Sequence, residues 1–259
     1  MTTLFDALFW IVWLIVHAAA AAAALVVGEA LWGPHLAQKA LALVVGYVVL
    51  LHAFVLAAGG LRLLLQPRLK EGLTPIGLNR DYVAWGIQSV FQGVFTTSIF
   101  ARQIHILFYL RWLYYRLMGM NLSLSSIIGT QATIRQAELI ELGKHSIVGE
   151  GSYLVPHLSP DGKNHLHGRI RLGERAVVGG RASVAPGASL GDRSVLGACS
   201  VLGMNAHVGD DARIGPNVLI MPNVVIGDGA KVVAGSVVKQ NTVIEPGEVW
   251  GGNPAERLR

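Results

Sequence analysis

Histidine is the side chain whose charge changes near neutral pH, so its placement is the first guide to acid–base or metal chemistry. The chain carries nine. His157, His165 and His167 flank or occupy the run Ser159-Pro160-Asp161-Gly162-Lys163-Asn164, whose turn formers predict an exposed loop. Each imidazole could take a proton from an incoming hydroxyl or amine. Together with His207 they could also supply the three histidines of a zinc site. Cys199 is the only cysteine, so no disulfide can form within the chain and nothing points to an oxidising compartment.

What must position these residues is a period of six. From Leu172 onward the first hexad positions are Leu172, Val178, Val184, Leu190, Leu196, Leu202, Val208, Ile214, Ile220, Ile226, Val232, Val238, Ile244 and Trp250. The second position is often glycine, and the fifth is Ala, Ser, Val or Thr as far as Thr242. An aliphatic residue and a small one can both point inward at this spacing only on a short strand that then turns. Proline at the third position with Gly or Asn at the fourth supplies the turn, as in Pro186-Gly187, Pro216-Asn217, Pro222-Asn223 and Pro246-Gly247. Three hexads close one coil, and stacked coils pair as parallel strands, each burying its apolar face on its neighbours. Leu142, Val148 and Leu154 extend the frame upstream, and Ile128 and Ile134 suggest an opening coil. Pro160 breaks it at the histidine loop. His145 reads as a corner residue and Cys199 as a filler near another corner.

This repeat resembles the left-handed β-helix, hexapeptide-repeat acyltransferases over roughly residues 122–259. The end, Gly251-Gly252-Asn253-Pro254-Ala255, is similar to the Gly-Asn-Pro-Ala signature closing the acetyl-CoA-using members, and Ala234-Gly235-Ser236-Val237-Val238-Lys239 is similar to their penultimate coil. The resemblance implies one catalytic histidine per site, set between neighbouring subunits of a homotrimer. His157, in Val155-Pro156-His157-Leu158, best matches its placement; His165 and His167 are second choices, and His207 a further one. It also implies a donor groove for acetyl-CoA formed by main-chain groups around Ala234 and Ser236 and by Gly252, Asn253 and Pro254, with Lys239 or Arg257 on the phosphates. No metal is expected.

The first half of the chain is of another kind. Seventeen of the nineteen aromatic residues lie in 1–120, and 21 of the 31 glycines lie in 121–259. Ala7–Gly28 and Ala40–Leu61 carry no formal charge, and each is long enough to cross a bilayer core as a helix. The first is too long for a signal peptide and no basic residue precedes it. Arg62, Arg68, Lys70 and Arg80, just after the second run, place the remainder of the chain on the cytoplasmic side of a bacterial-type inner membrane by the positive-inside rule. His17 and His52 fall inside the apolar runs. Such ionisable groups are functional candidates, although a neutral imidazole bonded between two helices is the preferred reading. Residues 82–118 mix Arg102, Arg111 and Arg116 with aromatics, which suits helices lying in the headgroup interface, with a third spanning helix over the uncharged Val83–Phe100 as the alternative. The membrane hairpin is more similar to the C-terminal regions of polylysine-synthetase-like peptide synthetases than to the soluble acyltransferases.

Three segments are therefore expected: a transmembrane helical hairpin over 1–66, an interfacial connector over 67–121, and a mainly β, left-handed parallel β-helix over 122–259. Disorder is excluded by the 52% hydrophobic content. A nucleic-acid footprint is excluded by a second half with thirteen basic against twelve acidic residues. The expected function is acetyl transfer to a small-molecule or lipid-linked acceptor at the membrane. A non-catalytic trimeric scaffold and a zinc enzyme like the γ-class carbonic anhydrases stay open as alternatives, the latter with histidine spacing unlike that family's.

Overall fold

The computed structural model describes residues 2–259, which pack as two units. One gathers residues up to Arg68 together with Val83–Met118; the other gathers Leu69–Tyr82 with Gly119–Arg259. Leu69–Tyr82, within the segment expected as a connector, belongs to the repeat unit.

The helical unit contains α1 (Thr2–Leu31), α2 (Leu36–Leu65), most of α3 (Arg80–Thr97), α4 (Ala101–Ile106) and α5 (Phe108–Leu117). Among the described residues only α1 and α2 are long and apolar enough to cross a membrane. Small residues let them approach: a Cβ added at Gly46 would lie only 3.4 Å from the Ala24 carbonyl oxygen. Gly86 of α3 leaves room for the Phe5 ring, and Gly59 of α2 for Leu117. His17 bonds the Trp13 carbonyl through Nδ1 (2.8 Å) and Ser98 Oγ through Nε2 (3.2 Å), and so ties α1 to the turn after α3. His52 instead turns Nδ1 back to the Val48 carbonyl of its own helix, at 2.8 Å.

The second unit is a parallel β-solenoid of about seven turns. Its first face runs from Asn121–Leu122 to Val243–Ile244, its second from Ile127–Ile128 to Val249–Gly252, and its third from Thr133–Ile134 to Val237–Val238. Register advances by 18 residues per turn, as in Val195↔Arg213↔Lys231↔Val249. The hexad explains the core. First-position Val178, Leu196, Leu202 and Ile220 and fifth-position Ala182, Ala188, Ser200 and Ala206 are all fully buried. Every fourth position from Arg175 to Gly247 has φ between 52° and 76°. Glycine and asparagine suit that left-handed turn, yet Arg175, Arg181, Arg193 and Cys199 adopt it too, so strand pairing imposes the corner on whatever residue stands there. Corner side chains then stack from turn to turn. Asn205 donates to Asn223 (3.5 Å) and Asn223 to Asn241 (3.2 Å), while Asp210 and Asp228 accept from the backbone of the turn before.

The second-position glycines have a steric reason. A Cβ on Gly197 would lie 2.4 Å from the Gly215 carbonyl of the next turn. Gly197→Ala is expected to cost about 2–3 kcal/mol, the upper range for overpacking. Gly229→Asn, at a left-handed corner with open space around it, should stay within about 0.5 kcal/mol. Thermal unfolding of the full chain in detergent checks both; equal stabilities would refute the stacking argument.

Candidate active site

Between the third and first faces, at the end of the second turn, the solenoid opens into an insertion. Strand His157–Leu158 pairs antiparallel with Asn164–His167, which pairs antiparallel with Gly72–Pro75. The tip between them is fixed by Asp161, whose Oδ1 accepts from the Lys163 and Asn164 backbone (2.9 and 2.8 Å) and whose Oδ2 accepts from Asn164 Nδ2. These bonds hold its carboxyl below the usual range. Residues two apart on a strand share a face, and directly opposite residues share it too. His165, His167 and the His167 partner His157 therefore converge, with ring centroids 6.0, 6.2 and 6.4 Å apart. All three sequence candidates meet. Thr74 stands opposite His165, and the Tyr82 ring meets it edge-on at 5.3 Å.

Arg169 fastens this sheet to the solenoid. Its Nε bonds Glu71 Oε1 (2.9 Å), and its Nη1 bonds Glu141 Oε1 (3.1 Å) and the Glu138 carbonyl (3.3 Å). Partial burial pushes the Glu71 carboxyl up, but the Arg169 bonds and charge outweigh it and hold the group below its usual value. Arg169→Leu should therefore cost about 1–2 kcal/mol and loosen the strand Gly72–Pro75. Hydrogen exchange at residues 72–75 reads this directly, and unchanged protection there would remove the clamp.

The imidazoles are neutral at physiological pH. Burial first, then the charges that His167, His165 and Arg135 would bring, lowers His157 to about 4. His167 is lowered to about 4 chiefly by burial, against a raising contribution from Asp81, and burial lowers His165. His157 Nδ1 lies 2.5 Å from Gln136 Oε1. Neither ring nitrogen of the buried His167 has a hydrogen-bond partner among the described residues. A neutral imidazole accepts protons, so the cluster suits base chemistry. Among the described residues no group of three or more His, Cys, Asp or Glu is placed to hold a metal ion.

Of the remaining candidates, His207 faces outward on the first face three turns further on, with Nδ1 2.8 Å from Ser189 Oγ. Ala234 and Ser236 lie on the corner between the second and third faces, and Gly252, Asn253 and Pro254 follow at the same corner one turn on. Ser236 is a pin: its Oγ donates to the Val233 carbonyl (2.6 Å) and accepts from Gly252 N (3.2 Å). Exposed Lys239 belongs to the corner between the third and first faces, the edge that carries His157. Arg257 is engaged by Glu248 at 2.9 Å. Sequence reasoning missed Arg213 and Lys231, register partners on the second face. With Ala234, Val233 and Val249 they line a cavity of about 330 Å³. The signal was present as two cations 18 residues apart at the outward sixth position.

Residues 169–204 match the family model described as "Hexapeptide repeat of succinyl-transferase" and residues 205–240 match "Bacterial transferase hexapeptide (six repeats)". Both matches fall within the parallel β-solenoid of the second unit. Among solved structures it is similar to AntD, an N-acyltransferase from Bacillus cereus in complex with dTDP and 3-hydroxybutyryl-CoA. Identity there is 16%, coverage is 56% of this chain and 85% of that one, and the TM-score is 0.47. It is also similar to UDP-N-acetylglucosamine O-acyltransferase from Moraxella catarrhalis (17%, 54% and 72%, TM-score 0.36) and to a putative acetyltransferase from Bacillus cereus (22%, 54% and 76%, TM-score 0.29). These are likenesses of fold. No curated protein matches the chain by sequence.

Proposed function

We propose that the chain is a membrane-anchored acyltransferase that moves an acetyl group from acetyl-CoA to a hydroxyl or amine of a membrane-proximal or lipid-linked acceptor. The observation that carries the reading is the cluster of neutral histidines on a sheet whose outer strand, Gly72–Pro75, follows the apolar α2 after residues 66–71 and precedes α3. An acceptor held at a bilayer is the natural substrate of a site so tethered. His157 takes the proton of the acceptor group as it attacks the thioester carbonyl, and returns it to the leaving thiolate. The donor lies along Ala234, Ser236 and the Gly252-Asn253-Pro254 turn. Arg213 and Lys231 complement its phosphates there as an exposed cationic pair, and Lys239 adds charge on the neighbouring edge. The basic residues after α2 set the site on the cytoplasmic side of the inner membrane, with no nucleic-acid role.

The active unit is a homotrimer with the site between copies. Its support is the separation of the two halves within one chain: His157 follows the third face, whereas Ala234 and Pro254 precede it. The test uses the full chain in vesicles of bacterial lipid extract with labelled acetyl-CoA. Label is expected in the lipid phase, at a rate that His157→Ala abolishes. Label reaching only water-soluble acceptors would discard the lipid-linked class, and none at all would return the scaffold reading.

A further inference from the structure

The corner one turn before the histidine insertion departs from the regular pattern. Gln136 is a buried glutamine, 2% exposed, with φ 36° and ψ 62°. That left-handed conformation is one that Gly or Asn would adopt at lower cost, although Arg and Cys hold it at regular corners of this solenoid. It opens the short 3₁₀ turn Ala137–Leu139, where Leu139 N closes on its carbonyl at 2.8 Å. The side chain then reaches across the turn spacing to His157, Oε1 to Nδ1.

We infer that Gln136 is the positioning residue that fixes the tautomer and orientation of the His157 imidazole, leaving Nε2 as the basic nitrogen. This rests on His157 being the base proposed above. The chemistry is simple: an amide oxygen carries no proton, so a bond between Oε1 and Nδ1 requires the hydrogen on Nδ1. The lone pair of the neutral ring is then on Nε2. A second-layer acceptor of this kind sets which nitrogen is reactive. Glutamine does so without adding charge. A carboxylate in its place would draw a proton onto the ring, whereas the groups facing His157, namely His165 and His167 on the adjoining strand and Arg135 beside Gln136, all oppose one. The amide therefore orients the base while leaving it neutral at low pH.

The tautomer can be read without turnover. In the full chain, ¹⁵N-histidine labelled in detergent micelles, long-range ¹H–¹⁵N correlations of His157 (identified by their loss in His157→Ala) should show hydrogen on Nδ1. Gln136→Leu should shift the ring to the Nε2–H form or a mixture, and lower kcat by about 10–100-fold with the KM for acetyl-CoA unchanged. Gln136→Glu, nearly isosteric, should keep Nδ1 protonated and move the acidic limb of the pH–rate profile up by about one unit or more. Hydrogen on Nε2 in the unaltered protein, an unchanged tautomer in Gln136→Leu, or an unmoved limb in Gln136→Glu would each overturn the assignment. Failure of the base assignment itself would show separately, as full activity in His157→Ala with the tautomer as expected.

Discussion

His157→Ala is expected to reduce acetyl transfer by about 10²–10⁴-fold, the usual contribution of a positioned general base. The loss should fall on kcat, because the side chain handles a proton and lies on a different edge from the donor segment at Ala234–Ser236. His165→Ala and His167→Ala should cost less, since neither is held to Gln136 as His157 is. The pH profile carries a second signature. An imidazole with its ordinary value of 6.5 would be about nine-tenths protonated at pH 5.5, and a base of that kind would lose most of its activity there. His157 is lowered to about 4, so the rate at pH 5.5 should be close to that at pH 7, with the acidic limb near 4. The same shift makes stability fall with acid. The folded value lies below the unfolded one, so the cluster's contribution is fully present above about 6.5 and drains as pH falls toward 4. A pH–rate profile with its acidic limb at 6.5, or His157→Ala retaining half its activity, would remove His157 as the base.

The solenoid was legible because its period forces a physical choice at every sixth residue. Val178, Val184, Leu190 and Leu196 could be placed inside a coil from spacing alone, and they are buried. The left-handed corners were legible only where Pro-Gly or Pro-Asn announced them. Arg181 and Cys199 adopt the same turn because strand pairing on both sides dictates it, which no local preference reveals. The histidine triad was readable as three residues around a loop. Its geometry was not, because it depends on antiparallel pairing of His157–Leu158 with Asn164–His167 in a sheet completed by Gly72–Pro75, a segment some ninety residues earlier and outside the repeat. Gln136 was hidden for a related reason: it lies in the irregular opening turn, and its role depends on a side chain one turn later. Arg213 and Lys231 were in frame but looked like ordinary solvated cations until register set them side by side.

The second large effect concerns how many chains make one site. Along the solenoid axis His157 and Ala234 are four turns apart, ~19 Å at the spacing of paired strands, and they border opposite edges of the third face. Between them run outward-facing Val201, Leu219 and Val237, an apolar column of the sort a neighbouring copy covers. In the homotrimer proposed above, one copy's histidine edge would face the next copy's donor edge, and each site would draw on two chains. His157→Ala and Ala234→Trp should then be inactive alone for different reasons, the first without a base and the second with its donor groove filled. Ala234 is exposed on its corner, so the larger ring can project without disturbing the core. Co-expressed in equal amounts and mixed at random, the two variants should recover about a quarter of the native rate, because that fraction of sites pairs an intact histidine edge with an intact donor edge. Mixing them after each has assembled should recover nothing. If both halves of the site came from one chain, co-expression would stay as inactive as either variant, and that result in mixed assemblies shown to contain both chains would rule out the shared site.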